Sequence, residues 1–220
     1  KIPASNGNFI IERSIDGENF KVVKKWIVKS IGLNKEYIDS LSTDYHLLTA
    51  AMIKKMLQPR SKFDHKGTFG HALIVAGSYG KMGAAILAAK ASLRAGCGLT
   101  TVHVPRCGYE IMQIAFPEAM TQVDRHKRVF SKPPKLSPYQ AIGVGCGIGT
   151  NKITVEALRE LLKKAGVPLV IDADALNILS TNRELFDLVP AGSILTPHPK
   201  EFERLFGKSE KDEVGGIGIV

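Results

Sequence analysis

The sequence has little cysteine. Cys97, Cys107 and Cys146 are scattered over 220 positions and supply neither a disulfide framework nor a zinc cage, both of which need paired cysteines. A reducing, cytoplasmic setting is therefore expected. Long apolar runs are also missing. No window approaches the run of about eighteen apolar residues that a membrane-spanning helix needs, so no membrane partner is expected. No basic stretch leads into an apolar segment near Lys1, so no secretory signal is expected within these residues. The net charge is +9, but the excess is diffuse: 12 basic and 7 acidic residues over 1–66, 18 and 14 over 67–220. Without a long basic run or an aromatic-interleaved basic motif, nucleic acid is not an expected partner. A mildly positive surface suits phosphorylated small molecules better. What remains is 44% apolar and 23% charged, enough to bury a core.

Both ends read as cut: Lys1 is not a methionine, and Gly215–Val220 closes no element. Residues 1–48 are lysine-rich, with a strand expected over Val22–Val28 and a short helix over Lys35–Leu41. Thr49 can cap a helix from Ala50 to Leu57, which Pro59 stops. From Gly67 the texture changes to alternating strand and helix. His71–Ala76 reads as a buried strand running into the glycine-rich turn Gly77–Gly83, then an alanine-rich helix to Arg94 and a strand Leu99–Val104. That is a βαβ unit with a parallel sheet implied. Ala141–Val144, an amphipathic helix Ile153–Lys164, and strands at Pro168–Asp172 and Ser193–Thr196 continue the pattern, and a last helix runs from Pro199 to Phe206 before Gly207. The fold class is α/β: a doubly wound, mostly parallel sheet flanked by helices, whose ligands bind beyond the carboxyl ends of the strands.

Three loops that follow strands carry the unusual residues: Gly77–Gly83, Gly145–Gly149 and Thr196-Pro197-His198-Pro199. In a parallel sheet they converge on one edge, where glycines let backbone N–H groups approach a phosphate or ring. Neither glycine loop matches the dinucleotide or P-loop fingerprints, and Asp172 is the nearest approach to a ribose-binding acid. An oxidoreductase is thus disfavoured. His198 sits between two prolines that stiffen its backbone, as a ligand contact or as a helix cap. Asp172 and Asp174 are two apart at a strand end, where alternation would send both to one side, to hold Mg²⁺ or phosphate-bound water, or to cap the next helix. Glu118, after the Phe116-Pro117 turn, is a candidate for the same edge.

Read together, Lys66–Ser78, Met82–Ala85, Arg94–Leu99, Pro117–Met120, Gly145–Gly149, Val170–Asn177 and Leu195–Phe202 resemble the NAD(P)H-hydrate dehydratase family, in the same order over roughly residues 49–207. The second loop departs slightly, with Cys146 where the family usually has proline. The resemblance implies a ribokinase-like fold, incomplete at its carboxyl end, and a repair reaction: hydrated NADH or NADPH is returned to the intact cofactor, with ADP or ATP and Mg²⁺. It also implies that residues 1–48 are the tail of an amino-terminal epimerase-like domain plus linker, and 49–220 the dehydratase domain. Carried over by position, Ala84, Gly147, Gly149 and His198 would contact the hydrated dinucleotide. The family's Lys-Gly-x-x-Thr and Gly-x-Gly-Asp segments, the latter with the catalytic base, do not occur in the sequence, so no catalytic residue is assigned and no protein metal site is expected. The expected partners are NAD(P)H hydrates and adenine nucleotide, in a cytoplasmic homo-oligomer. Two other readings stand beside this one: a ribokinase-like kinase of a small alcohol, and a non-catalytic dinucleotide-binding fragment.

Overall fold

The computed structural model describes residues 32, 34–42, 50–57 and 59–208. The chain divides into two units, Lys1–Pro59 and Arg60–Val220. In the first unit the described residues form two short helices, α1 (Lys35–Asp39) and α2 (Ala50–Met56). The Asn34 side chain caps α1 by accepting from the Tyr37 N–H at 3.0 Å. The expected strand Val22–Val28 and the expected cap Thr49 lie outside the described residues.

The second unit is built on six strands: β1 (His71–Val75), β2 (Leu99–Val104), β3 (Met120–Val123), β4 (Ala141–Val144), β5 (Leu169–Ile171) and β6 (Ile194–Leu195). All pair in parallel, in the order β3-β2-β1-β4-β5-β6. Four of the five connections carry a helix, α3 (Met82–Arg94), α4 (Tyr109–Ala115), α5 (Lys152–Lys164) and α6 (Ala173–Thr181); the one from β3 back to β4 has none, and α7 (Pro199–Phe206) follows β6. The chain runs outward from β1 to β3, then returns to lay β4 against the other side of β1.

Each half buries one face of the sheet. Ala85 and Ala89 of α3, one helical turn apart, and Met112 of α4 pack on Ala76, Val102 and Val104. Their small side chains let the helix lie close to the strands. On the opposite face, Leu158, Leu161 and Leu162 of α5, with Leu176 and Leu179 of α6, cover the strand residues that alternate inward there, Leu73, Ile142 and Leu169 among them. β1 is therefore covered on both sides, which is why it reads as a continuous apolar run.

Two elements carry little signal in the sequence. β3 is an edge strand, Met120-Thr-Gln-Val123, without the apolar run of a central strand, and α4 is a short segment between two turns. Beyond α3 its face of the sheet is open. Val170 and Ile194 are 41% and 50% exposed, and a groove of about 390 Å³ runs along Ile74, Gly143 and Val170 beside Ala88, Ala91 and Ala95.

Candidate functional site

The helices after β1 and β4 go to opposite faces, so the sheet reverses its winding between these two neighbouring strands. A crevice opens at their carboxyl ends. The Gly77–Gly83 loop leaves β1 there, and the Gly145–Gly149 loop leaves β4. The expected convergence of these loops on one edge is what the topology produces.

The two loops are tied to each other. Gly77 N–H donates to the Cys146 carbonyl at 2.8 Å, and the Ser78 hydroxyl donates to the Gly147 carbonyl at 2.7 Å. Gly145 N–H reaches back to Val75 O at 3.2 Å. Much of the backbone hydrogen bonding that glycine loops could offer a phosphate is thus spent between the loops. Gly147 (φ +69°) sits against α3, where a β-carbon would come within 2.9 Å of the Ala84 methyl and 3.1 Å of the Lys81 carbonyl. Ala84 and Gly147 are therefore one small-residue contact at the mouth of the crevice, and side chains at either position would hold the loops apart.

Asp172 and Asp174 do meet the second glycine loop, but not through strand alternation. β5 ends at Ile171 and Asp174 lies in the first turn of α6. Ala173 between them has φ +49°, a conformation that L-residues rarely adopt, and it turns the chain sharply. Asp174 Oδ2 accepts from the Gly149 N–H at 2.8 Å and pairs with Lys81 Nζ at 3.1 Å, joining α6 to both loops. Asp172 makes no side-chain cap to α6, contrary to one expectation; its Oδ2 lies 3.4 Å from Cys146 Sγ.

Burial first, then the neighbouring Asp172 carboxylate, pushes the Cys146 thiol up to about 11. The thiolate fraction at neutral pH is then small, and Cys146 should react with iodoacetamide at pH 7.5 at least about tenfold more slowly than a free thiol of ordinary pKa. Mass-spectrometric alkylation kinetics check this; labelling at the rate of free cysteine would refute it.

His198 leaves the carboxyl end of β6, on the same edge as Ala84. Its role as a cap is explicit: Nδ1 accepts from the Lys200 and Glu201 N–H groups at 3.2 and 3.4 Å, while Glu201 Oε2 accepts from the His198 N–H at 3.0 Å. With Nδ1 an acceptor, the proton of the neutral ring sits on Nε2, 3.4 Å from Glu201 Oε1. The side chain is 57% exposed, so Nε2 can also serve a ligand.

Glu118 is placed elsewhere. It precedes β3 and so lies at the amino end of a parallel strand, beside Lys90 and Arg94 at the end of α3. The proline turn that suggested an active-site loop is the entry to a strand, on the edge opposite the glycine loops.

One contributor escaped the sequence reading. Residues 124–132 fold back onto the first glycine loop, with Tyr79 N–H donating to Arg128 O at 2.8 Å and the Arg128 guanidinium 3.9 Å above the Tyr79 ring. The signal was the run Arg125-His126-Lys127-Arg128, short enough to be lost in a diffuse charge count.

The doubly wound parallel sheet, with glycine loops meeting at its switch point, is of the ribokinase-like fold. A ribokinase-like superfamily protein from Enterococcus faecalis shares this fold, with a TM-score of 0.63 and 24% identity over 72% of this chain and 55% of that one. The chain belongs to the NAD(P)H-hydrate dehydratase family, whose profile matches residues 72–217. It is 36% identical over 188 residues to the bifunctional NAD(P)H-hydrate repair enzyme of Moorella thermoacetica, covering 82% of this chain and 36% of the relative. To the ADP-dependent (S)-NAD(P)H-hydrate dehydratase of Neisseria meningitidis it is 39% identical over 165 residues, 73% of this chain and 54% of the relative. The ADP/ATP-dependent NAD(P)H-hydrate dehydratase of Bacillus subtilis, co-crystallized with ATP/Mg²⁺, superposes with a TM-score of 0.58 and 29% identity over 72% of this chain and 55% of that one. The chain thus spans from about a third to about half the length of these relatives.

Proposed function

We propose that this chain acts in the repair of hydrated NADH and NADPH, with ADP or ATP as phosphoryl donor. The hydroxyl on the damaged nicotinamide ring takes the phosphoryl group and loses its proton. Elimination of phosphate, with loss of a ring proton, then restores the double bond and yields NADH or NADPH. The observation that carries the reading is the meeting of the Gly77–Gly83 and Gly145–Gly149 loops at the switch point, with Gly147 packed directly on Ala84, because ligands of such sheets bind at that point. Ala84, Gly147, Gly149 and the Nε2–H of His198 form the dinucleotide half of the site. The alignment to the bifunctional Moorella thermoacetica enzyme, over 82% of this chain, supports reading residues 1–48 as the tail of an epimerase-like domain and linker.

The described residues do not build the nucleotide half. Asp174 is neutralised by Lys81, and among the described residues no group of three or more His, Cys, Asp or Glu side chains could hold a metal ion. No step is therefore assigned to Mg²⁺ or to a general base of this chain.

Calorimetric titration tests the proposal. NADPH and its hydrate should bind the wild-type chain, whereas small-alcohol kinase substrates such as a hydroxyethylthiazole should not. Ala84→Leu should weaken dinucleotide binding at least about tenfold, because the larger side chain fills the ring's approach. His198→Ala should cost roughly 1–3 kcal/mol of binding if Nε2–H meets the ligand, beside a loss of about 1 kcal/mol of stability from the cap. A melting curve on each variant separates the two. Preference for the small alcohol would reverse the reading, and unchanged affinity in His198→Ala would leave that residue a cap alone.

A further inference from the structure

We propose that a small phosphate-bearing anion binds in a second pocket, at the carboxyl ends of β2 and β3, whose lining includes no residue of the glycine loops. A cavity of about 350 Å³ lies there, lined by His103, Gln122, Asp124, Arg125, Lys132 and Lys135 among others. Its volume suits a phosphate or a small phosphorylated metabolite.

Three independent features point to a ligand. The floor is polar where the fold calls for apolar side chains. On this face β1 and β4 carry Leu73, Val75, Ile142 and Val144, but the residues in register on β2 and β3 are Thr101 and His103, and Met120 and Gln122, so that polar side chains hold all places but one. Second, His103 is only 5% exposed, and its Nδ1, an acceptor while Nε2–H is given to Asp124, is buried with no hydrogen-bond partner among the described residues, which suits a ligand with a donor such as the P–OH of hydrogen phosphate. Buried polar atoms are rarely left so, because each unmade bond costs free energy. Third, the walls are cationic: among the described residues no carboxylate forms an ion pair with Arg125, Lys132 or Lys135, and only the more distant Glu160 feels the Lys132 charge.

The one carboxylate in the cavity is already engaged. Asp124 accepts from the N–H groups of His126, Ser131 and Lys132, from the Ser131 hydroxyl and from His103 Nε2. Its charge holds the loop in shape and leaves the three cations to an incoming anion. Pro133 and Pro134 stiffen the segment between the two lysines, so the positive wall is built in advance. Several separate cations around a small volume match a phosphate, with its spread oxygens, better than a single carboxylate.

Titration of the 220-residue chain with inorganic phosphate and pyrophosphate at low ionic strength, with acetate as the carboxylate arm and NADPH as the dinucleotide arm, tests this. Phosphate or pyrophosphate should bind with a measurable heat, acetate should not, and the ¹⁵N resonances of the His103 ring should shift on binding. The exposed pair Lys132→Glu/Lys135→Glu should weaken binding by more than about tenfold, as the loss of two charge-assisted contacts requires. Lys90→Glu/Arg94→Glu, the same charge change at the opposite edge of the sheet, should alter it by less than about twofold. Equal weakening in both variants would show a general charge effect and overturn the proposal. So would phosphate binding that competes with NADPH, survives Lys132→Glu/Lys135→Glu and is lost in Gly147→Val, because the anion would then sit in the glycine loops.

Discussion

Replacing Gly145 with alanine should lower the stability of the second unit by about 3–5 kcal/mol, a loss at the severe end for a single methyl group. Gly145 has φ +133°, and a β-carbon there would overlap the carbonyl oxygen of Asp172. That oxygen cannot step aside cheaply. It accepts from the Ala175 N–H at 3.1 Å, while the Asp172 N–H donates to Val144 O at 3.1 Å. Moving it would break the first turn of α6 or the end of the β4–β5 pairing. Gly149→Ala makes the control, since its φ of +80° is strained for alanine but its β-carbon meets only Asn151 Nδ2 at 3.6 Å. That change should cost about 1–2 kcal/mol. Urea unfolding of both variants measures the contrast, and equal losses would show that the Asp172 carbonyl yields after all.

A second large effect is expected at Asp124. Asp124→Asn should cost about 2–4 kcal/mol, because an amide puts a donor where five donors converge on one buried carboxylate. Burial alone would raise its pKa. The hydrogen bonds from His103, Ser131 and the backbone outweigh that, and hold the carboxyl well below the usual carboxylate range. The sign for stability follows. The native carboxylate binds a proton more weakly than the unfolded one, so its contribution is full above the ordinary value near 3.8 and is lost as pH falls below it. Melting temperatures from pH 7 to 3 should fall more steeply for the wild-type chain than for Asp124→Asn at the acid end. Parallel curves would mean that Asp124 contributes no acid sensitivity.

Neither effect could be foreseen from the chain alone. Gly145 was legible as a loop residue, but its collision partner lies 27 positions away, across a strand pairing. Asp124 attracted no attention because Asp-Arg-His-Lys-Arg reads as a charged turn, and only the fold shows that the loop closes around the carboxylate. Glu118 shows the opposite failure. A proline turn before a short edge strand resembles a proline turn after one, and the sequence does not say at which end of the sheet it lies.

The residues by themselves determined the alternation of strand and helix after Gly67, the burial of β1, the start of α7 at Pro199 and its end at Gly207, and the family resemblance through seven segments in fixed order. These are local matters of periodicity, capping side chains and spacing. Tertiary structure decided that β4 returns beside β1 instead of extending the sheet past β3. Only that return brings Gly147 against Ala84, and the pairing of β5 with β4 brings Asp174 against Gly149; the sequence does not decide either, because the hydrogen bonds that select strand neighbours are alike for any two apolar strands. The choice among them rests on how α3 and α5 each find a face of the sheet to cover.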